Sequence, residues 1–336
     1  MKAIVVTGHG GPEVLELSDV EEPTAGAHEI LVDVEAAGVN FIDTYQRAGI
    51  YDMALPYTPG LEGAGVVRAV GPEVTSVSPG DTVAWCGQLG SYAELITLPA
   101  DKAVVVPEGI TAEQAAAIML QGLTAHYLTT SVYQVRPGDV ALVHAAAGGV
   151  GLLLCQMITA RGGIAIGTVS TESKEAAARQ AGAAHIIRYD HEDVASRVRE
   201  ILSGSGVNVV YDGVGKDTFE ASLDSLEVRG TLALFGQASG AVAPFDPQIL
   251  NNKGSLVLTR PSLTHFTQTH SELSWRASEV LGALASGQLH LTVSGIYPLA
   301  EAAQAHTDIQ ARKTSGKLLL SMKQPVARLL PEGPTQ

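Results

Sequence analysis

Cysteine is scarce in this chain. Its 336 residues include two, Cys86 and Cys155, both in apolar stretches. Two thiols cannot build a disulfide framework or a cysteine-rich zinc site, and their plain reading is two buried thiols. Long hydrophobic runs are missing as well. Nothing approaches the ~20 apolar residues of a membrane span, and the opening Met1-Lys-Ala-Ile-Val-Val soon turns polar, too short for a signal peptide. Positive charge is in deficit: 21 Lys and Arg stand against 35 Asp and Glu, a net charge of −14. That balance repels nucleic acid and anionic membranes. Ten histidines are present, but none stands in metal-ligand or triad spacing, so no metal site is expected. There is no internal repeat and no low-complexity tract. A cytoplasmic, reducing setting and small-molecule chemistry are the expectations these absences leave.

What is present suits a large core: 46% of residues are hydrophobic, and the length allows two domains. Residues 1 to about 110 are dense in glycine and proline, with short β-rich runs at 3–7, 14–17, 29–35, 63–70, 82–85, 92–98 and 103–106. Many short strands separated by turns suggest a barrel or sandwich. From Thr111, an N-cap for a helix, the pattern changes. Strands at 140–144, 164–169, 186–188, 207–211, 231–235 and 256–259 alternate with helices at 149–161, 173–181, 194–202 and 217–226. Six such strands predict a doubly wound parallel sheet. The tail offers a helix at 271–286 and strands at 293–297 and 316–321 that return to the first domain. The expected division is 1–121, 122–262 and 263–336, with a loose end over the last ten or so residues.

The first βα unit carries the most information. The strand Val140-Ala-Leu-Val143 runs into Ala145-x-x-Gly148-x-x-Gly151 and then an apolar helix. This variant dinucleotide fingerprint turns free N–H groups and a helix dipole toward a phosphate. A NAD site of this kind usually ends its second strand with an acid that binds the ribose 2′-OH. Here Thr168-Val-Ser-Thr-Glu-Ser-Lys174 puts Ser170 at that position, and Lys174 stands near enough to meet a 2′-phosphate. NADPH is favoured; the alternative is that Glu172 takes the ribose and Lys174 is a solvated first-turn lysine.

A second motif is Gly60-Leu-Glu-Gly-Ala-Gly-Val-Val-Arg-Ala-Val-Gly-Pro-Glu-Val74. It resembles the signature of the zinc alcohol dehydrogenases of the medium-chain dehydrogenase/reductase superfamily, with Leu61 where that family has a zinc-binding histidine. The segment Gly38-Val39-Asn40-Phe41-Ile42-Asp43 has no thiol where that family has one, and the structural zinc lobe is absent. Glu62 alone makes no site; a buried partner for an arginine or a backbone N–H is the expectation. Within the superfamily the chain is similar to the zinc-free, NADPH-dependent quinone oxidoreductases related to zeta-crystallin. The resemblance rests on Gly10-Gly-Pro-Glu-Val14, Gly38-Val-Asn-Phe-Ile-Asp-Thr-Tyr45, His144-Ala-Ala-Ala-Gly-Gly-Val-Gly151 with Gln156, Val210-Tyr-Asp-Gly-Val-Gly215 and Thr259-Arg-Pro-Ser262. Thr159 stands where that family often has a basic residue.

The resemblance implies an α/β Rossmann fold, a doubly wound parallel sheet, plus a GroES-like β-barrel catalytic domain, with the active cleft between them. It places Asn40, Phe41, Ile42 and Tyr45 near the nicotinamide end and Thr124 at its ribose. It sets Gly148, Gly149, Val150 and Gly151 at the pyrophosphate, and Ser170, Lys174 and Tyr189 around the 2′-phosphate. Phe235, Gly236 and Gln237 follow at the fifth strand end, and Ser262 and Arg312 approach from the closing side. Asn40, Tyr45 and Tyr51 are candidate hydrogen-bond donors, the two tyrosines mainly shaping an apolar slot for a planar ring, and no essential acid is expected. His144 reads as structural. Without zinc, quinones suit the site better than alcohols. Reduction of α,β-unsaturated carbonyl compounds is an alternative, and a non-catalytic nucleotide- or RNA-binding, crystallin-like role is one of another class. A homodimer is expected, formed on the apolar edge strand at 256–259.

Overall fold

The computed structural model describes residues 1–311 and 314–323. Arg312 and the chain end after 323 therefore lie outside the described residues. Two large sheets organise the rest. The N-terminal segment contributes β1 (Lys2–Val5) and β2 (Glu16–Asp19), and the strands of the first large sheet, β3 (Glu29–Val39), β4 (Glu62–Val70), β5 (Thr82–Cys86), β6 (Leu95–Pro99) and β7 (Val104–Val105). β1 and β2 pair with each other as a separate antiparallel ribbon. The second is built from β8 (Val140–Val143), β9 (Ile164–Val169), β10 (Ala183–Arg188), β11 (Val207–Asp212), β12 (Leu226–Leu234) and β13 (Val257–Thr259). Its order is β10-β9-β8-β11-β12-β13, parallel throughout. That is the doubly wound order, reversing between β8 and β11, where ligands bind such sheets. β14 (Val293–Pro298) and β15 (Lys317–Ser321) then join the first sheet, with β15 antiparallel to β3. The tail thus returns to the barrel, as expected.

The helices are α1 (Phe41–Arg47), α2 (Ala112–Tyr127), α3 (Gly149–Ala160), α4 (Glu172–Gln180), α5 (Val194–Ile201), α6 (Phe219–Ser225), α7 (Gln248–Asn252), α8 (His270–Ala285) and α9 (Ala302–Gln310). The sequence patterns did not reveal α1, α7 or α9. Val14, read as the start of a strand at 14–17, instead ends a 3-10 turn over Pro12–Val14 begun by Pro12, whose fixed φ suits a helical start. β3 runs four residues further than expected and so delivers Gly38 and Asn40 to the site.

α2 joins the two halves. Thr111 caps it, its hydroxyl accepting from the Gln114 N–H at 3.2 Å while the Gln114 side chain returns to the Thr111 N–H at 2.9 Å. The fully buried Ala115, Ala116 and Ala117 let it lie close between β4, β5 and α3. One hydrophobic cluster runs from Ala36, Ala64 and Ala84 of the barrel through α2 to Val143, Leu154 and Ala165 of the second sheet. The division expected at 121/122 falls inside this continuous helix, which carries both Gln121 and Thr124 to the junction.

Candidate active site

The fingerprint turn closes tightly. Ala145 adopts a left-handed conformation with φ of +50°, a position that ordinarily favours glycine. The Ala146 N–H donates to the Thr168 carbonyl at 3.0 Å, and the Gly148 N–H to the Ala145 carbonyl at 2.8 Å. Gly148 stands at the N-cap of α3, with no side-chain cap. The first N–H groups of α3 have no intrahelical partner, which makes this helix start an anion cradle by construction. Gly151 is required by space: a Cβ there would stand 2.3 Å from the Ala145 carbonyl oxygen.

Beneath the turn, His144 is a buried strut. Ser222 Oγ donates to Asp212 Oδ2 at 2.8 Å, so the His144 Nε2–H donates to Ser222 at 3.0 Å and Nδ1 accepts from Thr168 Oγ1 at 3.1 Å. Burial pushes the imidazole pKa down, keeping the neutral tautomer this arrangement needs. Asp212 also accepts from the Val214 and Gly215 N–H groups and from Thr218. The Phe235 N–H donates to the Asp212 carbonyl at 2.8 Å, and a Cβ on Gly236 would meet the Gly213 carbonyl oxygen at 2.4 Å. Phe235, Gly236 and Gln237 are held, half-buried, at the end of β12.

At the end of β9, Ser170 is half-buried, and Thr171 caps α4 by accepting from the Lys174 N–H at 3.4 Å. The Tyr189 N–H donates to the Val169 carbonyl at 3.3 Å, bringing the exposed Tyr189 ring to the same strand end. Glu172 is exposed and Lys174 half-buried. The nearby Arg188 guanidinium is tied to Asp190 at 2.8 and 3.0 Å. Ser262 is exposed, ahead of a short 3-10 turn at Leu263–Phe266.

The barrel supplies the opposite wall. Asn40 caps α1, its N–H donating to Asp43 Oδ2 at 2.8 Å. α1 presents Phe41, Ile42 and Tyr45, all half-buried. The Tyr45 and Tyr51 rings meet edge to face, centroids 5.7 Å apart, and Phe41 lies 6.4 Å from Tyr45. Asn40 itself is committed inward. Its Nδ2 donates to Glu62 Oε1 at 2.7 Å, and its Oδ1 accepts from Lys317 Nζ at 2.9 Å and from Gln121 Nε2 at 3.4 Å. Glu62 Oε1 pairs with Lys317, and its Oε2 accepts from the Leu120 N–H at 2.6 Å. The partner expected for Glu62 is thus a backbone N–H together with a lysine in place of an arginine. Both its oxygens are engaged, and its neighbour Leu61 has no donor atom. Among the described residues no three His, Cys, Asp or Glu side chains converge on a metal position.

Lys317 carried no sequence signal of its own. Nor did a second buried cluster behind α1. There Arg47 donates to His306 Nδ1 at 3.1 Å and to Gln310 at 3.0 Å. Tyr92 donates to Asp43 Oδ2 at 3.0 Å, and His306 Nε2 lies 3.1 Å from the Tyr92 oxygen. Among the described residues Asp43 Oδ1 has no hydrogen-bond partner. Burial pushes the Asp43 carboxyl up to about 7. Burial, reinforced by the Arg47 charge, pushes His306 down to about 3.

A parallel sheet with an uncapped fingerprint helix, set against a GroES-like barrel that lends an aromatic wall, defines a medium-chain dehydrogenase/reductase. The alcohol dehydrogenase GroES-like domain model matches residues 26–108 and the zinc-binding dehydrogenase model residues 149–276. The chain is 48% identical to a quinone oxidoreductase of Pseudomonas aeruginosa, covering 95% of this chain and 99% of that protein. It is 40% identical to a 2-haloacrylate reductase of a Burkholderia species, covering 95% and 98%. The solved Escherichia coli quinone oxidoreductase, complexed with NADPH, superposes with a TM-score of 0.94 at 44% identity, covering 96% of this chain and all of that one. The chain belongs to the quinone oxidoreductase family of the medium-chain dehydrogenases/reductases.

Proposed function

We propose that the protein reduces quinones with NADPH by hydride transfer and without zinc. The carrying observation is the pairing of an acid-free β9 end, Ser170 with Lys174 and Tyr189, with an aromatic barrel wall that offers no metal ligand at Leu61. NADPH supplies the hydride when bound. The N–H groups of Gly149, Val150 and Gly151 hold its pyrophosphate, Gly148 giving the turn room. Ser170, Lys174 and Tyr189 hold the 2′-phosphate; Thr124, Phe41 and Ile42 border the nicotinamide end, with Phe235, Gly236 and Gln237 beside it. Ser262 borders the closing side. Phe41, Tyr45 and Tyr51 exclude water and flatten the slot for a planar acceptor, with the two tyrosine hydroxyls as the donors for a developing oxyanion. The Asn40 amide is spent on Glu62 and Lys317, so its role in this reading is to hold α1.

Turnover of a naphthoquinone with NADPH and with NADH at equal concentration tests the reading; equal rates would sink the cofactor assignment. Reduction of conjugated enones or haloacrylates is a second reading, favoured by the kinship to a 2-haloacrylate reductase, and a parallel assay with an alkenone separates the two. No helix among the described residues is long and apolar enough to cross a membrane. The two buried thiols suit the reducing cytoplasm, and the net charge of −14 argues against nucleic acid as a partner. The edge strand β13 exposes half of Val257; we read it as the seam of a homodimer, which Val257→Asp would convert to a monomer in sedimentation.

A further inference from the structure

We propose that Lys317 is a positioning residue that fixes the aromatic wall of the barrel against the cofactor cradle. This rests on the reading of the fingerprint turn as an NADPH site. Lys317 is 1% exposed and Glu62 fully buried. A buried ion pair returns little net stability, because desolvating both charges offsets their attraction, and one well-attested use is to fix register. The connections here have that form. Lys317 sits on β15 and holds Glu62 of β4 and Asn40 at the end of β3. Asn40 starts α1, and α1 carries Phe41 and Tyr45. The residue before Lys317 reaches the other way: the Gly316 N–H donates to the Ala147 carbonyl of the fingerprint turn at 3.1 Å, and Gly316 bridges Gly148. Two consecutive residues therefore grip the cradle and the wall.

Gln121 provides a second tie. It donates to Asn40 Oδ1, and its carboxamide lies so close to Gly149 that a Cβ there would stand 2.0 Å from Gln121 Oε1. Gly38 leaves the space that Glu62 occupies, since a Cβ on Gly38 would meet Glu62 Oε1 at 2.1 Å. None of these contacts reaches Ser170 or Lys174. Loss of the lysine should leave the grip on the phosphates intact and misalign the reacting ends, where a misplacement of about 1 Å can cost on the order of a hundredfold in rate.

The test uses Lys317→Met paired with Glu62→Gln, which leaves no buried charge unmatched. Fluorescence titration gives the NADPH Kd and the emission yield of the bound nicotinamide; steady-state assays with a naphthoquinone give kcat and KM. The expected result is a folded double variant with Kd and quinone KM within about threefold of the parent. Its kcat should fall tenfold or more and its bound-nicotinamide emission by half or more. A double variant that keeps parental kcat and emission, or loses rate only in step with Kd, overturns the proposal. Should it not fold, Lys317→Arg serves: the cation stays, its larger head displaces Asn40, and the same split is expected. If the parent binds NADPH but turns over no quinone, the quinone assignment fails while the emission arm still decides on Lys317.

Discussion

Replacing Asp43 with asparagine should make the protein acid-labile, although it removes a carboxyl that is strained at neutral pH. Asp43 and His306 touch the same Tyr92 hydroxyl and shift in opposite directions. The Asp43 carboxyl rises from 3.8 to about 7 in the fold, so between those values the folded chain holds a proton that the unfolded chain has lost. Its contribution to stability therefore grows as pH falls through that window. His306 drops from 6.5 to about 3, so the unfolded chain takes up a proton that the folded chain refuses, and stability is lost as pH falls below 6.5. Each amounts to about 1.4 kcal/mol per pH unit where it acts, and between about pH 4.5 and 6.5 they cancel.

An asparagine can accept the same bonds from the Asn40 N–H and Tyr92, with its amino group at the unpartnered Oδ1 position, and it does not titrate. From pH 6.5 to 4.5 the variant should lose about 3 kcal/mol relative to the parent, a difference in Tm change of roughly 3–6 °C for a chain of this length. Thermal melts at half-unit pH steps measure it, and charged groups common to both proteins drop out of the comparison. Parallel Tm profiles over this range would refute the opposed shifts.

Three further outcomes are expected. Gly151→Ala drives a methyl into the Ala145 carbonyl and should weaken NADPH binding at least tenfold in a fluorescence titration, with about 1–3 kcal/mol lost in denaturant melts. His144→Ala strands the Thr168 and Ser222 hydroxyls and should cost about 2–4 kcal/mol, read as a lower urea midpoint at unchanged m-value. Lys174→Ala removes a charge-assisted bond worth roughly 1.5–3 kcal/mol, so the KM for NADPH should rise tenfold or more while that for NADH moves little; equal changes would return Glu172 to the ribose.

The second sheet was legible because its signals are local. β8, β9 and β11 are mainly apolar runs of four to six residues bounded by turns, and the fingerprint lies within eight positions. α1 had a signal that the motif reading passed over: Asn40 stands at its N-cap, and Asp43 three residues on accepts from the Asn40 N–H, in a stretch taken only for its likeness to a family. α9 begins in an alanine-rich stretch whose apolar face is set by packing on β15, so its own periodicity says little. The partners of Glu62 could not be read locally, because Lys317 stands 255 residues away and reads in isolation as an ordinary lysine at a strand start. The cluster of Arg47, Tyr92 and His306 was equally out of reach, its members coming from three distant segments with no shared spacing.

The same separation sets a timetable for biosynthesis. A chain made from its N-terminus has Glu62 in place long before residue 317 leaves the ribosome, and β3 waits as long for β15. Until then the barrel has an open edge and an acid without its cation, while the intervening parallel sheet can assemble from near neighbours. Completion of the barrel is therefore a late event in folding, and a chain arrested before residue 317 lacks both the cation for Glu62 and the strand that pairs with the end of β3.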